Sequence, residues 1–305
     1  MTSIDVFAHV LPPHFYNEML AIQPDLPEKM PFIKHPLLID IEQRRLSRNK
    51  NVQQVISAVN VNPEDYVGTE QAAVLCWQAN NEMIEMVKQN PDIFKAGIAM
   101  VPLNNIDEAI RILKEQVLKN PELVGIQLFT RALGKSIAAK EYRVIFEMAA
   151  QLNIPILLHP IFDDRKPDNN IIFSWEYELT QAMLQLVQSG IFNDYPTLKI
   201  IVHHAGAMVP YFAERINHIL SPEQAADFKR FYVDTALLGN PKALGLAIDY
   251  YGVNHVLFGT DAPLGIAPAG ATDAIIEALD QLNLSKEDRA LINYENYNRL
   301  MGLGE

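Results

Sequence analysis

Eight short runs of apolar residues punctuate the chain, and between them apolar residues recur at helical spacing. The runs cover residues 3–10, 53–59, 95–102, 123–130, 154–160, 198–204, 231–237 and 256–261. They are rich in Val, Ile and Leu and mostly apolar at successive rather than alternate positions. A strand apolar on both faces must be covered on both, as parallel strands are. The intervening segments, 70–90, 106–118, 140–152, 175–189, 208–220, 241–251, 273–282 and 286–301, read as helices, several of them with apolar residues every three or four positions. Gly252 stands where the sixth would end. Strand and helix alternate eight times, which predicts an α/β fold of the (β/α)8 TIM-barrel type. A doubly wound open sheet is the alternative. It calls for a glycine-rich turn after the first strand, where this chain has Phe7-Ala8-His9-Val10-Leu11-Pro12-Pro13.

The least regular stretch is 23–39, with Pro24, Pro27, Pro31 and Pro36. We read it as part of a βα insertion, at about 11–50, that covers the barrel mouth within one domain spanning residues 1–305. The cluster Arg44, Arg45, Arg48 and Lys50 reads as a solvated helix face.

Composition adds bounds. The 305 residues are 49% hydrophobic, ample for one large barrel, and the formal charge is −12. Such an acidic balance opposes nucleic-acid binding, which needs clustered Lys and Arg. The single cysteine, Cys76, allows no internal disulfide and reads as a buried small hydrophobe. Asp5 and His9 interrupt the first apolar stretch, unlike a signal peptide, and no run approaches the ~18 apolar residues of a membrane span. A cytoplasmic protein with no membrane partner is expected.

Candidate chemistry lies at the ends of the runs. The first ends near His9, the fifth at His159, the sixth at His203-His204 and the eighth at Asp261. In a barrel these ends gather on one face, where active sites are built. One histidine at a strand end is commonly a packing residue. A carboxylate after Val-Leu-Phe-Gly-Thr, however, must be paired, hydrogen-bonded or metal-bound. His9, His159 and Asp261 together form a ligand set for one divalent ion, Zn or a similar metal, with a position left for water or substrate. His204 is the expected proton carrier, and His203 is expected to point the other way if the strand continues to it. Asp234 is a candidate second-shell or structural carboxylate. No Gly-x-Ser-x-Gly elbow, P-loop or Cys-x-x-Cys is present.

These residues carry a resemblance. Ile4-Asp5-Val6-Phe7-Ala8-His9-Val10-Leu11-Pro12, Leu157-Leu158-His159-Pro160, His204-Ala205-Gly206-Ala207-Met208-Val209-Pro210 and Gly259-Thr260-Asp261-Ala262-Pro263 resemble the amidohydrolase superfamily. The branch is that of aminocarboxymuconate-semialdehyde decarboxylase and the resorcylate-type decarboxylases. The resemblance implies a TIM barrel of the metal-dependent hydrolase type with one divalent ion, Zn or Mn, held by His9, His159 and Asp261. It implies a catalytic His204, with Asp261 also serving catalysis. It further implies that Arg215 reaches the substrate carboxylate of a neighbouring subunit, and hence a homodimer or higher homo-oligomer. Two features depart from the pattern: Phe7 stands where the family has a His or Glu ligand, and Ala262-Pro263-Leu264 follows Asp261 without the usual aromatic residue. No lysine ends the fourth run, so a two-metal site bridged by a carboxylated lysine is not expected. The expected activity is non-oxidative decarboxylation of a small unsaturated or aromatic carboxylic acid. A metal-dependent amide or lactone hydrolase and a catalytically lapsed binding protein are the alternatives.

Overall fold

The computed structural model describes residues 3–163, 165–166 and 168–302. Ser3–Val10 (β1), Val52–Ala58 (β2), Phe94–Ala99 (β3), Leu123–Phe129 (β4), Ile156–His159 (β5), Ile200–Val202 (β6) and Tyr232–Val233 (β7) form one parallel sheet in chain order. A small antiparallel hairpin, Arg131–Ala132 with Lys135–Ser136, follows β4. The later strands are shorter than the apolar runs predict, because each run continues past the last ladder bond into a loop that carries site residues.

The eighth run corrects the expectation of a regular strand. Residues 256–262 form only isolated bridges, Val233 with Val256 and Ala8 with Ala262. The barrel still closes through this segment. Leu257 N–H donates to the Val233 carbonyl at 2.8 Å, Val6 N–H to Phe258 at 2.9 Å, and His9 N–H to Ala262 at 2.7 Å. Gly259 is what allows so close an approach, since a Cβ there would lie 2.7 Å from the Asp234 Cβ and 3.2 Å from that of Phe7. The buried Asp5 carboxylate staples the same seam. It accepts from the Phe7 N–H at 3.1 Å, the Thr260 N–H at 2.9 Å and the Thr260 hydroxyl at 2.5 Å. Burial lifts its pKa to about 7 in spite of these donors.

Ile4, Val6, Val55, Ile98, Leu157, Ile201 and Leu257 come from five strands and the closing segment and fill the interior, with Tyr297 and Leu300 of the last helix packed on them. A larger cluster lies between the strands and the surrounding helices, among them Thr69–Gln89, Arg143–Gln151 and Ser174–Gln188. Cys76 is buried in it. No helix of the described residues is long and apolar enough to cross a membrane.

The insertion between β1 and β2 folds as short pieces, Leu26–Lys29, Pro31–Lys34 and Pro36–Leu38, then the helix Ile41–Ser47, whose Asp40 cap accepts from Gln43 N–H. Arg44 on that helix corrects the reading of a wholly solvated face. It is buried, and its guanidinium donates to the carbonyls of His9 at 2.5 Å and Leu37 at 3.1 Å and to Gln54 Oε1 at 2.9 Å. A sequence pattern of four bases could not reveal this, because the helix turns only one of them inward. Arg44→Ala strands two buried carbonyls, and we expect a loss of about 3 kcal/mol. Urea unfolding checks this, and a change under about 0.5 kcal/mol contradicts the assigned role.

Candidate active site

The ends of β1, β5 and β6 and the closing segment bring together the residues singled out in the sequence. His9 and His159 are buried, and their Nε2 atoms lie 3.2 Å apart. Asp261 Oδ1 is 3.2 Å from the same His9 Nε2. His159 Nδ1 sits 2.6 Å from the Pro160 carbonyl. That oxygen can only accept, so Nδ1 carries the hydrogen and Nε2 a free lone pair. Burial first, then the neighbouring imidazoles, holds the His159 pKa well below its ordinary value. His9 Nδ1 meets the Ser57 hydroxyl at 3.1 Å, and a hydroxyl can donate or accept there.

Two imidazole nitrogens and a carboxylate oxygen are a donor set for a divalent cation. Ligands held at about 2.0–2.1 Å by a tetrahedral ion lie about 3.3–3.4 Å from one another. Both contacts of His9 approach that spacing, so His9 Nε2 faces a lone pair and a carboxylate where a cation can replace a proton. Among the described residues, however, no group of three or more His, Cys, Asp or Glu meets the geometry of a metal centre as it stands. The donor chemistry suits the ion, and the two spacings made by His9 approach those of a ligand pair. Phe7 contributes no donor. Its ring lies among the imidazoles, stacked on His203 at 3.5 Å and 14° and edge-on to His9, His159 and His204.

His203 and His204 part ways for a backbone reason. Strand β6 ends at Val202, and His204, Ala205 and Ala207 take positive φ of 55°, 54° and 55°. Left-handed backbone at non-glycine residues costs about 1–3 kcal/mol each and persists only where surroundings enforce it. The buried Asp234 carboxylate does so. Its Oδ1 accepts from Ala205 N–H at 3.1 Å and Ala236 N–H at 2.9 Å, and its Oδ2 faces His203 Nδ1 at 2.8 Å. His203 is thereby fully buried beside Phe7, not turned away from the site as strand alternation implied. Burial lowers its pKa.

His204 instead lines a cavity of about 590 Å³ together with Asp261, Glu176, Trp175, Phe32, Ile172 and Leu264, among others. Phe32, from the segment between β1 and β2, contributes to this wall. His204 Nδ1 pairs with Glu176 Oε1 at 2.9 Å, and Nε2 has no hydrogen-bond partner among the described residues. Burial alone would depress this imidazole. The Glu176 carboxylate outweighs it and lifts the pKa to about 9. Among the described residues no Lys or Arg lines the cavity. Arg215 is in a separate groove with Tyr177, Phe212 and Ile219.

Glu176 and Ser57 were missed in the sequence. Ser57 lies near the end of a strand-like run, a polar residue among apolar ones that could have been searched. Glu176 is one acid in the first turn of a helix, and nothing in its spacing distinguishes it.

A family model described as Amidohydrolase matches residues 4–303, and the chain belongs to that family. Among similar proteins, the 6-methylsalicylic acid decarboxylase of Penicillium expansum is 26% identical, with 99% of this chain and 98% of that protein covered. The 2-amino-3-carboxymuconate-6-semialdehyde decarboxylase of Dictyostelium discoideum is 24% identical, over 83% of this chain and 74% of that one. A solved dihydroxybenzoic acid decarboxylase from Polaromonas sp. JS666, with bound manganese and the inhibitor 2-nitroresorcinol, has a TM-score of 0.80 at 23% identity, covering 100% and 98% of the two chains. The branch inferred from the strand-end motifs is therefore the one to which these relatives belong.

If Glu176 raises His204, then Glu176→Gln removes the favourable charge and the His204 pKa falls below about 9. Imidazole NMR titration should show a drop of at least about one unit, and an unmoved midpoint contradicts the pairing.

Proposed function

We propose that the protein is a metal-dependent, non-oxidative decarboxylase of a small unsaturated or aromatic carboxylic acid. One observation carries the reading: a mostly apolar cavity places His204 and its Glu176 partner in the same lining as Asp261. Apolar walls suit a planar unsaturated body, and the polar end suits a carboxylate that is about to be lost. The named activities of the relatives support the same choice.

The reaction balances simply. The C–C bond to the carboxylate breaks, CO₂ leaves, and the electron pair stays on the substrate carbon. Protonated His204 donates through Nε2 to that carbon, and the released product is R–H. Glu176 holds the imidazolium in place and keeps it charged near neutral pH, so that one proton is delivered and one taken back from water per turnover. A divalent ion, Zn or Mn, would be held by His9, His159 and Asp261 and would supply positive charge for the substrate carboxylate and for the negative charge developing in the transition state. Asp261 would also orient the reacting centre beside His204. Since Glu176 and Asp261 are acidic and no Lys or Arg of the described residues lines the cavity, an anionic substrate would draw on both the imidazolium and the ion.

Arg215 would act across a subunit boundary, as a bidentate carboxylate clamp in the cavity of a second copy. Exposed Tyr177, Tyr211, Phe212 and Ile219 lie near it and give such a homodimer an apolar surface. The whole of 1–305 would then be one barrel domain, working on a small molecule without nucleic acid or membrane.

His204→Ala should reduce turnover at least about a hundredfold while metal content stays near that of the unaltered protein. Assay of CO₂ release on hydroxybenzoates and muconate-type acids, with amides and lactones alongside, reads both activity and class. Hydrolysis without CO₂ would overturn the decarboxylase reading. Arg215→Ala should raise KM about tenfold or more with a smaller effect on kcat. A monomer by light scattering would remove Arg215 from the site.

A further inference from the structure

The cavity that holds His204 and Asp261 is larger than a single-ring acid needs, and its apolar wall continues out to the protein surface. We propose that the substrate carries a hydrocarbon chain on the side of its planar body opposite the carboxylate, and that this chain lies against a rim made by Ile171, Ile172 and Leu238. The inference rests on the decarboxylase reading of this cavity and concerns which acid fits it.

Size comes first. At about 590 Å³ the cavity falls within the range of sites that bury drug-sized ligands. An acid of about ten non-hydrogen atoms leaves much of such a space unfilled.

Polarity is segregated within the lining. Asp261 meets His9, Glu176 meets His204, and the buried Trp175 ring stands edge-on to His159 at 5.8 Å. The polar lining groups are thus tied to the histidines at the strand ends. Among the described residues every other lining side chain is apolar. A hydroxyl on the far part of a substrate would lose water there and meet no polar side chain, whereas a methylene gains by leaving water.

Exposure orders the same wall from inside to outside. Ala236 is 5% exposed, Leu238 54%, Ile171 56% and Ile172 68%, and all four line the one cavity. A chain that starts at the polar end can run outward over continuous apolar surface and cover three large side chains that water now reaches.

The backbone holds that rim in place. Leu238 has φ +51°, a left-handed conformation that a leucine adopts only at a cost. Its Cδ2 lies 2.7 Å from where a Cβ on residue 265 would sit, so Gly265 leaves it room. The turn that carries the two isoleucines is fastened by Asn170, whose Oδ1 accepts from the N–H groups of Ile172 at 3.2 Å, Phe173 at 2.7 Å and Ser174 at 3.2 Å.

The probes are 2-hydroxybenzoic acids with a methyl, propyl or pentyl chain para to the carboxylate. Titration calorimetry on the full-length protein supplied with Zn²⁺ gives Kd and stoichiometry, and CO₂ release is followed beside it. A fully buried methylene is worth about fourfold in affinity, so partial cover should tighten Kd at least about tenfold from methyl to pentyl, at one acid per chain. In the double variant Leu238→Asn/Ile172→Asn that ratio should fall below about threefold. A flat series overturns the proposal, as a second copy sealed over the rim would produce, and so does a series equally steep in the double variant. Should the variant fail to fold, the unaltered protein decides. Nuclear Overhauser contacts from the end of the pentyl chain to the Ile172 or Leu238 methyls support the proposal, and contacts to the His204 ring in their place overturn it. CO₂ from the methyl acid with a flat series removes this inference and leaves the decarboxylase reading. A steep series without CO₂ from any member removes that reading and leaves a rim that binds the chain.

Discussion

The buried Asp234 carboxylate is the constraint from which the active face is built. With no exposure of its own, it must satisfy its charge from within the protein. It does so with two backbone N–H groups in the turn after β6 and after β7, and with the His203 ring. Those bonds hold a backbone that would otherwise relax from left-handed geometry. The consequence is a sharp change of direction between neighbouring histidines, one held inside the barrel and one presented to the cavity. Gly206, in the same turn at φ +74°, sits so close to Tyr251 that a Cβ would overlap its hydroxyl. Sterics and hydrogen bonding therefore specify the same loop.

Closure of the barrel and construction of the site are the same event. The final segment cannot form a regular strand, because at Asp261 the backbone turns to φ +63° in order to aim the carboxylate at His9. Its bonds run instead to alternate partners, Val233 on one side and Phe7 and His9 on the other, and Asp5 and Thr260 reinforce the joint. Arg44 extends the dependence outward by binding the His9 carbonyl from the insertion helix. Local regularity is given up where side chains must converge, a pattern expected of functional sites.

Electrostatics divides labour among the imidazoles. Burial pushes the His159 and His203 pKa values down, whereas the Glu176 carboxylate outweighs burial at His204 and lifts its pKa to about 9. Four aromatic or imidazole rings around Phe7 leave little room for rearrangement. Such packing positions donors at little entropic cost, and it confines the exposed chemistry to the cavity side.

Periodicity alone determined the alternating architecture, because continuous apolar runs require cover on both faces and helical spacing supplies it. The strand ends likewise exposed His9, His159, His204 and Asp261, since a polar side chain after a buried run is conspicuous. Tertiary structure decided the rest. Burial of Arg44 depends on which way one helix face turns, Glu176 acquires meaning only through its 2.9 Å approach to His204, and the inward place of His203 follows from a backbone turn that no one-dimensional pattern encodes. Linear sequence records which groups must avoid water. Which partner each finds there is set by contacts between segments roughly thirty residues apart, as Arg44 with His9 and His203 with Asp234.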